Sequence, residues 1–387
     1  MAKNSKKKKN LKAEPKIYKG LAGVITDTTS VSKVMPETNS LTYRGYAVQD
    51  LAANCIFEEV AYLILNGELP NRSQFNKFKK LERSLRKLTR GHLDIISMFP
   101  KKAHPMDTIR TAVSYLGTTA IAWGGEPLEK DLERAIALLA KIPTMIATDF
   151  RLRQGKKRIP PRTDLTMSEN FFYMCFGKIP PRKVVKAFDI SLILYAEHSF
   201  NASTFAGRVI TSTRSDLYSA ACGAIGALKG PLHGGANEAE MEMMKKVGNP
   251  KRAENWLRNA FKNTSLVMGF GHRVYKQGDS RVPTMKNCLR DLTEWAGDTK
   301  WLEIYEIMEN IMVNEKNIYP NLDFPSGPAY YLMGFPINLY TPIFVMARIT
   351  GWSAHYFEQN TDNSLIRPLS QYTGKQQRKV KPLSKRK

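Results

Sequence analysis

Two histidines and one aspartate stand where the chain can do acid–base chemistry on a carbonyl compound. His233 lies in Gly230-Pro231-Leu232-His233-Gly234-Gly235-Ala236-Asn237, just before Glu238-Ala239-Glu240-Met241, which reads as a helix start. An imidazole at a helix N-terminus sits in positive potential, which lowers its pKa and favours the neutral ring. A neutral imidazole can donate a hydrogen bond to a carbonyl oxygen that is becoming an enolate. The plainer alternative is a turn histidine satisfied by backbone. His272 lies in Gly269-Phe270-Gly271-His272-Arg273-Val274-Tyr275-Lys276, where two glycines permit close approach of backbone to a ligand. Gly269-Phe270-Gly271 is by itself a weak phosphate-loop signal, because no clear strand precedes it and no acidic residue follows at the dinucleotide-site interval. Arg281 follows His272 beyond Gly278-Asp279. Such a pair suits an oxo acid, with the imidazole polarising the ketone and the guanidinium pairing with a carboxylate. A loop histidine beside solvated cations fits the same residues. Asp323 stands between Leu322 and Phe324 in Pro320-Asn321-Leu322-Asp323-Phe324-Pro325-Ser326-Gly327-Pro328. Partial desolvation there raises a carboxyl pKa toward that of a useful base. Ser326 is expected to cap a helix with Pro328 in its first turn, and a capping role for Asp323 is the alternative.

Four further residues carry weaker signals. His198 and Asn201 follow an apolar helix in Ala196-Glu197-His198-Ser199-Phe200-Asn201-Ala202-Ser203-Thr204. Arg348, in Phe344-Val345-Met346-Ala347-Arg348, is a charge in an apolar helix and needs an anionic partner, either a structural carboxylate or a ligand. Arg367 in Ile366-Arg367-Pro368 is ambiguous by itself, and His92, His104 and His355 read as structural. The sequence has no HExxH, no closely spaced histidine pair and no calcium loop, so a metal site is not expected. Without a GxSxG elbow, a serine hydrolase is not expected either.

The elements that position these residues read as mostly helical. Asn71-Arg72-Ser73 after Pro70 predicts a capped start, and Phe75, Phe78, Leu81, Leu85 and Leu88 recur at helical spacing. Val185, Phe188, Leu192 and Tyr195 repeat that stripe after Pro180-Pro181. Ser215 to Leu228 and Thr341 to His355 are apolar all round, as buried helices are. Ile17 to Thr42 predicts short strands in a hairpin-like cap, helix begins from Val48, and Gln154 to Arg162 predicts an exposed loop. Glycine and polar residues concentrate between Gly223 and Gly278, which points to loops closing like a lid and to a second, smaller domain.

Composition bounds the class. The 387 residues, 42% hydrophobic, suit one large domain plus a smaller one. No apolar run is long enough to span a membrane. The first sixteen residues hold seven lysines and no apolar signal segment, so the expected location is cytoplasmic. Cys55, Cys175, Cys222 and Cys288 are far apart and read as reduced packing residues. Much of the net charge of +24 sits in two tails, residues 1–16 and 375–387, expected to be disordered. Solvated tails are the bland account, and weak, salt-sensitive attraction to polyanions such as RNA is the sharper one. A basic body also suits an enzyme with anionic ligands.

Three long segments together resemble the citrate synthase family: Glu197 to Phe205, Gly226 to Glu238, and Gly269 to Arg281. The similarity runs from about Gly20 to Gly374. Within the family, Asp279-Ser280-Arg281-Val282-Pro283-Thr284-Met285-Lys286 and Leu322 to Met333 look most like a group of bacterial 2-methylcitrate synthases; many citrate synthases have Asp-Pro-Arg where this chain has Asp279-Ser280-Arg281. The resemblance implies a mostly α, citrate-synthase-like two-domain helical fold with a small N-terminal β element. Residues 17–222 and 330–374 would form the large domain, 223–329 the small domain with the CoA and catalytic loops, and 1–16 and 375–387 the tails. It implies condensation of propionyl-CoA with oxaloacetate, with acetyl-CoA also accepted. A citrate synthase preferring acetyl-CoA is the alternative, and a non-catalytic polyanion-binding protein on the same fold a remote one. His233, His272 and Asp323 would be catalytic, and His198, Arg281, Arg348 and Arg367 would bind oxaloacetate, with Arg367 supplied by the other subunit of a homodimer. Val267, Met268, Gly269, Phe270 and Gly271 would lie along the adenine end of CoA, with Lys276 and Lys316 near its phosphates. Acyl-CoA would be a co-substrate, with no permanent cofactor, no metal, no membrane partner, and no nucleic acid beyond weak attraction to the tails.

Overall fold

The computed structural model describes residues 17–119, 128–272, 274–275 and 277–386, so the first basic tail lies outside the described residues. The expected N-terminal β element is a three-stranded antiparallel sheet, β1 (Ser32–Met35), β2 (Ser40–Tyr43) and β3 (Tyr46–Ala47), in sequential order. Ser32 pairs with Tyr43 and Met35 with Ser40. Leu41 and Tyr43 alternate inward along β2, the period of a half-buried strand. The strands begin only at Ser32; earlier, the chain has a short 3-10 turn at Lys19–Leu21.

Everything regular after the sheet is helical among the described residues. The first ten helices are α1 (Val48–Asn54), α2 (Phe57–Asn66), α3 (Arg72–Leu85), α4 (Arg90–Met98), α5 (Pro105–Thr119), α6 (Leu128–Arg153), α7 (Met167–Phe176), α8 (Arg182–Tyr195), α9 (Ala202–Ser212) and α10 (Leu217–Leu228). Six more follow: α11 (Ala236–Val247), α12 (Pro250–Lys262), α13 (Val282–Ala296), α14 (Lys300–Lys316), α15 (Asp323–Leu332) and α16 (Tyr340–Thr361). Their starts follow local chemistry. Asn71 and Gln74 form a reciprocal capping box on α3, Thr166 and Glu169 another on α7, and Asp216 caps α10 through Ser219 N.

The hydrophobic core centres on α16, buried at every position from Tyr340 to Phe357 and packed on α2, α6, α8, α9 and α10. The helices α11 to α15 pack largely on one another, with α13 also on α8 and α11 on α16. The stripe expected on α3 carries a buried ion pair beneath it: Arg86 Nη2 donates to Glu82 Oε2 at 2.7 Å, and its Nη1 to the carbonyls of Arg162 and Leu165, both at 2.8 Å.

One local expectation is corrected. Ser326 does not cap α15; the helix starts three residues earlier, at Asp323, and the Ser326 hydroxyl donates to Leu322 O inside it. The first turn is held from outside, because Asn321 Oδ1 accepts Asp323 N and Asp279 Oδ2 accepts Leu322 N. The four cysteines are free thiols, with Cys175 and Cys288 buried. Among the described residues, no single helix is long and apolar enough to cross a membrane.

Candidate active site

The turn between α8 and α9 carries His198 and is fastened to the sheet. The Tyr43 hydroxyl donates into the carbonyl end of α8, 3.0 Å from both Ile193 O and Glu197 O. Ser32 Oγ donates to Glu197 Oε1 and accepts the N–H of Ser199, each at 2.9 Å. Ser199 takes the left-handed conformation, with φ 51°, and Asn201 caps α9 through the N–H groups of Ser203 and Thr204. Beneath the turn, His355 Nε2 lies 2.9 Å from Glu197 Oε1. Burial pushes the Glu197 carboxyl up, but His355 and Arg348 outweigh it and hold the group ionised. Burial likewise disfavours the His355 imidazolium, and Glu197 and Glu358 outweigh that.

Arg348 reaches this turn from α16. Its Nε donates to Tyr195 O at 2.7 Å, while Nη1 is buried without a hydrogen-bond partner among the described residues. Among the described residues Arg348 has no ion pair, and burial pulls its pKa down to about 10 against the attraction of Glu197 and Tyr43. A cation without a contacting anion in the interior is a receptor for one. His198 Nε2 is buried and has no partner among the described residues either. Burial first, then the charges of Arg281, His272 and Arg348, hold the His198 ring well below its usual pKa and therefore neutral.

The His272 ring meets His198 edge-on at 5.1 Å and Tyr275 at 4.8 Å. Its Nδ1 accepts the N–H groups of Val274 and Tyr275 at 3.0 and 3.1 Å, which assigns the proton to Nε2. Arg281, at the start of α13, forks onto Asp279 with Nε–Oδ1 2.9 Å and Nη2–Oδ2 2.7 Å. Burial lowers the guanidinium pKa, but Asp279 outweighs it and raises the group. Arg281 thus keeps only its Nη1 edge for a ligand, and that edge already faces Leu194 O at 3.4 Å.

Asp323 and His233 complete the cluster. Tyr195 OH donates to Asp323 Oδ1 at 2.8 Å, and among the described residues no hydrogen bond reaches Asp323 Oδ2. Burial pushes the Asp323 carboxyl up to about 6; Tyr195, Arg281 and Arg348 oppose that rise and Asp279 adds to it. The expected direction is thus met. His233 is lowered to about 3, but burial is the larger cause and Arg348 the next, rather than the start of α11. His233 Nε2 lies 2.8 Å from Ser203 Oγ, which also accepts Trp352 Nε1 at 3.1 Å. The Ser203 hydroxyl is equally close to Asn201 Oδ1, an atom already receiving two backbone N–H groups. Ser203 N also donates to Nε2 at 3.3 Å, so Nε2 is an acceptor and the His233 proton sits on Nδ1, which makes no hydrogen bond among the described residues. Phe344 underlies this corner, with its ring 4.3 Å from Tyr195, 6.3 Å from His233 and 4.7 Å from the Arg348 guanidinium.

The segment 267–271 is laced to the approach to α15. Gly271 N donates to Tyr319 O at 2.8 Å and Asn321 N to Gly269 O at 2.9 Å. Gly269 has φ 81°, and a Cβ there would lie 2.8 Å from Phe324 and 2.9 Å from Glu240, so only glycine fits. Val267 and Gly269 are buried, Met268, Phe270 and Gly271 half-buried. Lys316 is exposed at the end of α14, over the Phe261 ring at 4.5 Å. Lys276 lies outside the described residues. Arg367 is exposed on the C-terminal arm and has no hydrogen bond to the residues above. A cavity of about 540 Å³ opens behind Asp279, between Asn39, Lys286, Glu309 and Tyr319, and none of the site's histidines lines it. Among the described residues, no cluster of three or more His, Cys, Asp or Glu groups could hold a metal ion.

Sequence reasoning missed Tyr195, Ser203, Trp352 and Glu240. Tyr195 read only as the last member of an apolar stripe, although a tyrosine at a buried helix end needs a partner for its hydroxyl. Glu240, on α11, is buried with both oxygens unpartnered, and burial, then Asp323, pushes its carboxyl well up, so it is held neutral.

The family description "Citrate synthase, C-terminal domain" matches residues 20–369. A protein named citrate synthase from Mycolicibacterium smegmatis is 54% identical over 366 residues, covering 95% of this chain and 97% of the relative. One named 2-methylcitrate synthase from Mycobacterium tuberculosis (strain ATCC 25618 / H37Rv) is 54% identical over 368 residues, covering 94% and 92%. The fold is similar to that of citrate synthase from Thermoplasma acidophilum, solved as a ternary complex with carboxymethyl coenzyme A and oxaloacetate. That match has a TM-score of 0.91 and 31% identity, covering 96% of this chain and all of that one.

Proposed function

Because the chain belongs to the citrate synthase family of acyltransferases, we propose that it condenses propionyl-CoA with oxaloacetate and water to give 2-methylcitrate and CoA. Acetyl-CoA is accepted as well, giving citrate. The observation that carries the reading is the convergence of a raised carboxyl, a neutral imidazole and a buried arginine with an unfilled N–H: Asp323, His233 and Arg348.

Asp323 Oδ2 removes a proton from the acyl α-carbon. His233 Nδ1–H donates to the thioester oxygen as it gains enolate charge, a contact worth about 3–4 kcal/mol in a preorganised site. The enolate carbon attacks the ketone carbon of oxaloacetate, whose oxygen takes a proton from His272 Nε2. Arg348, His198 and the Nη1 edge of Arg281, giving up its long contact with Leu194 O, receive the oxaloacetate carboxylates and oxygens. Water then attacks the thioester carbonyl and CoA leaves as the thiol.

The same reading extends to assembly. Residues 223–329 form a small domain that closes on residues 17–222 and 330–374 and excludes water, which strengthens each of these contacts. Segment 267–271 carries the adenine end of CoA, with Lys276 and Lys316 toward its phosphates. A second copy of the chain completes the site with Arg367. The C-terminal arm supports this: it exposes Leu365 (63%), Leu369 (88%) and Tyr372 (76%), apolar surface that a partner subunit would cover. The reaction fits an enzyme of the cytoplasm.

A pocket separates one methylene by only about 1–3 kcal/mol, so the substrate is decided by kinetics. The test is steady-state CoA release with oxaloacetate, comparing kcat/KM for propionyl-CoA and acetyl-CoA and identifying the acid formed. Preference for propionyl-CoA with 2-methylcitrate as product is expected. A strong preference for acetyl-CoA makes the enzyme a citrate synthase, the reading that the Mycolicibacterium smegmatis relative favours. Absence of CoA release with either overturns both.

A further inference from the structure

Resting on the reading of Asp323 as the base, we propose that Tyr195 is the positioning residue of that base, aiming its free oxygen at the acyl α-carbon and coupling it to the arginine that receives oxaloacetate. Three contacts of this one residue carry the inference. Its hydroxyl donates to Asp323 Oδ1 at 2.8 Å. Its carbonyl accepts Arg348 Nε at 2.7 Å. Its ring packs on Phe344 at 4.3 Å, the same ring that lies under His233 and Arg348.

The consequence is geometric. A carboxylate can turn about its terminal torsion, which is broad. With Oδ1 held, that turn is frozen and Oδ2 is left as the oxygen that receives the proton. The fastening also bridges elements, since Tyr195 ends α8 whereas Asp323 begins α15. A shift of α15 relative to α8 therefore moves the base out of register, and a movement of Arg348 on filling with an oxo-acid carboxylate is felt at the same residue.

The bond is electrostatic as well as steric. A donor to the ionised form stabilises the carboxylate. The other groups acting on Asp323 are Arg281 at the start of α13, Asp279 in the preceding loop, Arg348 on α16, Glu240 on α11 and Tyr330 within α15. Arg281 is spent on Asp279, and Glu240 and Tyr330 are neutral where the base works. Of the groups that favour the Asp323 carboxylate, only Tyr195 donates a hydrogen bond to it.

The test is Tyr195→Phe, which keeps the ring on Phe344 and the carbonyl on Arg348 and removes only the hydroxyl. We expect the acidic limb of kcat/KM for propionyl-CoA to move up by about one to two pH units, the size of a lost hydrogen bond to a charged group. The plateau above the limb should fall by about tenfold or more, with the oxaloacetate dissociation constant and melting midpoint little changed. A merely structural role would lower the midpoint and leave the limb in place; a limb unmoved within about 0.3 pH units overturns the proposal. Asp323→Asn run alongside separates the two readings: if that variant turns over near normally, Asp323 is not the base and the function reading itself fails.

Discussion

Replacing Arg348 with methionine sets stability against function, and the structure gives both sizes. Burial lowers the Arg348 pKa from 12.5 to about 10 even after the favourable pull of Glu197 and Tyr43. At about 1.4 kcal/mol per unit, holding this side chain charged in the empty site costs the fold about 3 kcal/mol. Methionine fills similar length without charge, but it leaves Tyr195 O unpartnered, which takes back about 1–2 kcal/mol. The net expectation for Arg348→Met is a gain of about 1–2 kcal/mol, or about 1–3 °C in a chain of this size. Ligand binding should move the other way, because losing one partner of a buried charge pair costs about 2–5 kcal/mol, or 30-fold to several thousand-fold in affinity. Thermal melts with and without millimolar oxaloacetate measure both at once, since a ligand that binds only the folded state raises the midpoint. The wild-type protein should shift upward with oxaloacetate and the variant should start higher and not shift. A variant less stable than the wild type, or one that still shifts fully, refutes the account of Arg348 as an anion receptor held at the expense of stability.

Other perturbations separate the remaining parts. Asp323→Asn should cut kcat by about a thousandfold while oxaloacetate still raises the melting midpoint, because only the base is lost. In the wild type the base acts ionised, so kcat/KM should fall about tenfold per pH unit below about 6 and level off above it. With His233 titrating only near 3, protonation of that ring should not steepen the limb above pH 4. Ser203→Ala removes the hydroxyl that fixes the His233 tautomer, and kcat should fall about ten- to a hundredfold with KM for oxaloacetate unmoved. Arg86→Met leaves Glu82 buried without its cation and should lower stability by about 3–5 kcal/mol in denaturant melts, without touching KM.

Much of the site was legible because its chemistry sits in turns. His233, His272 and Asp323 stand among glycines and prolines, where neither helix periodicity nor core packing explains a titratable residue. Arg348 was legible for the opposite reason, as a charge in an apolar helix whose need for an anion is general. What could not be read was whatever depends on a distant segment. Asp279 reaches across 43 residues to accept Leu322 N, so α15 starts at Asp323 rather than after Ser326. Ser203 and Trp352, 149 residues apart, meet over His233. Each sits at a position that helical spacing alone accounts for. The low pKa of His233 has the expected sign but a different main cause, because depth of burial is a property of the packed molecule and not of one turn.

The hydrogen bonds of the small N-terminal sheet bear on how the chain is made. Tyr43 is bonded to carbonyls about 150 positions later, and Ser30 to Glu358 across 328. During synthesis the hairpin leaves the ribosome long before either partner exists, and the helix that fills the centre of the core emerges after all the helices it packs against. The early helices must therefore wait with their apolar faces uncovered until α16 arrives, and such surface is exposed to aggregation while it waits. For a nascent chain, the segment Tyr340–Thr361 is the keystone, and a ribosome stalled before residue 340 holds a protein that cannot yet close.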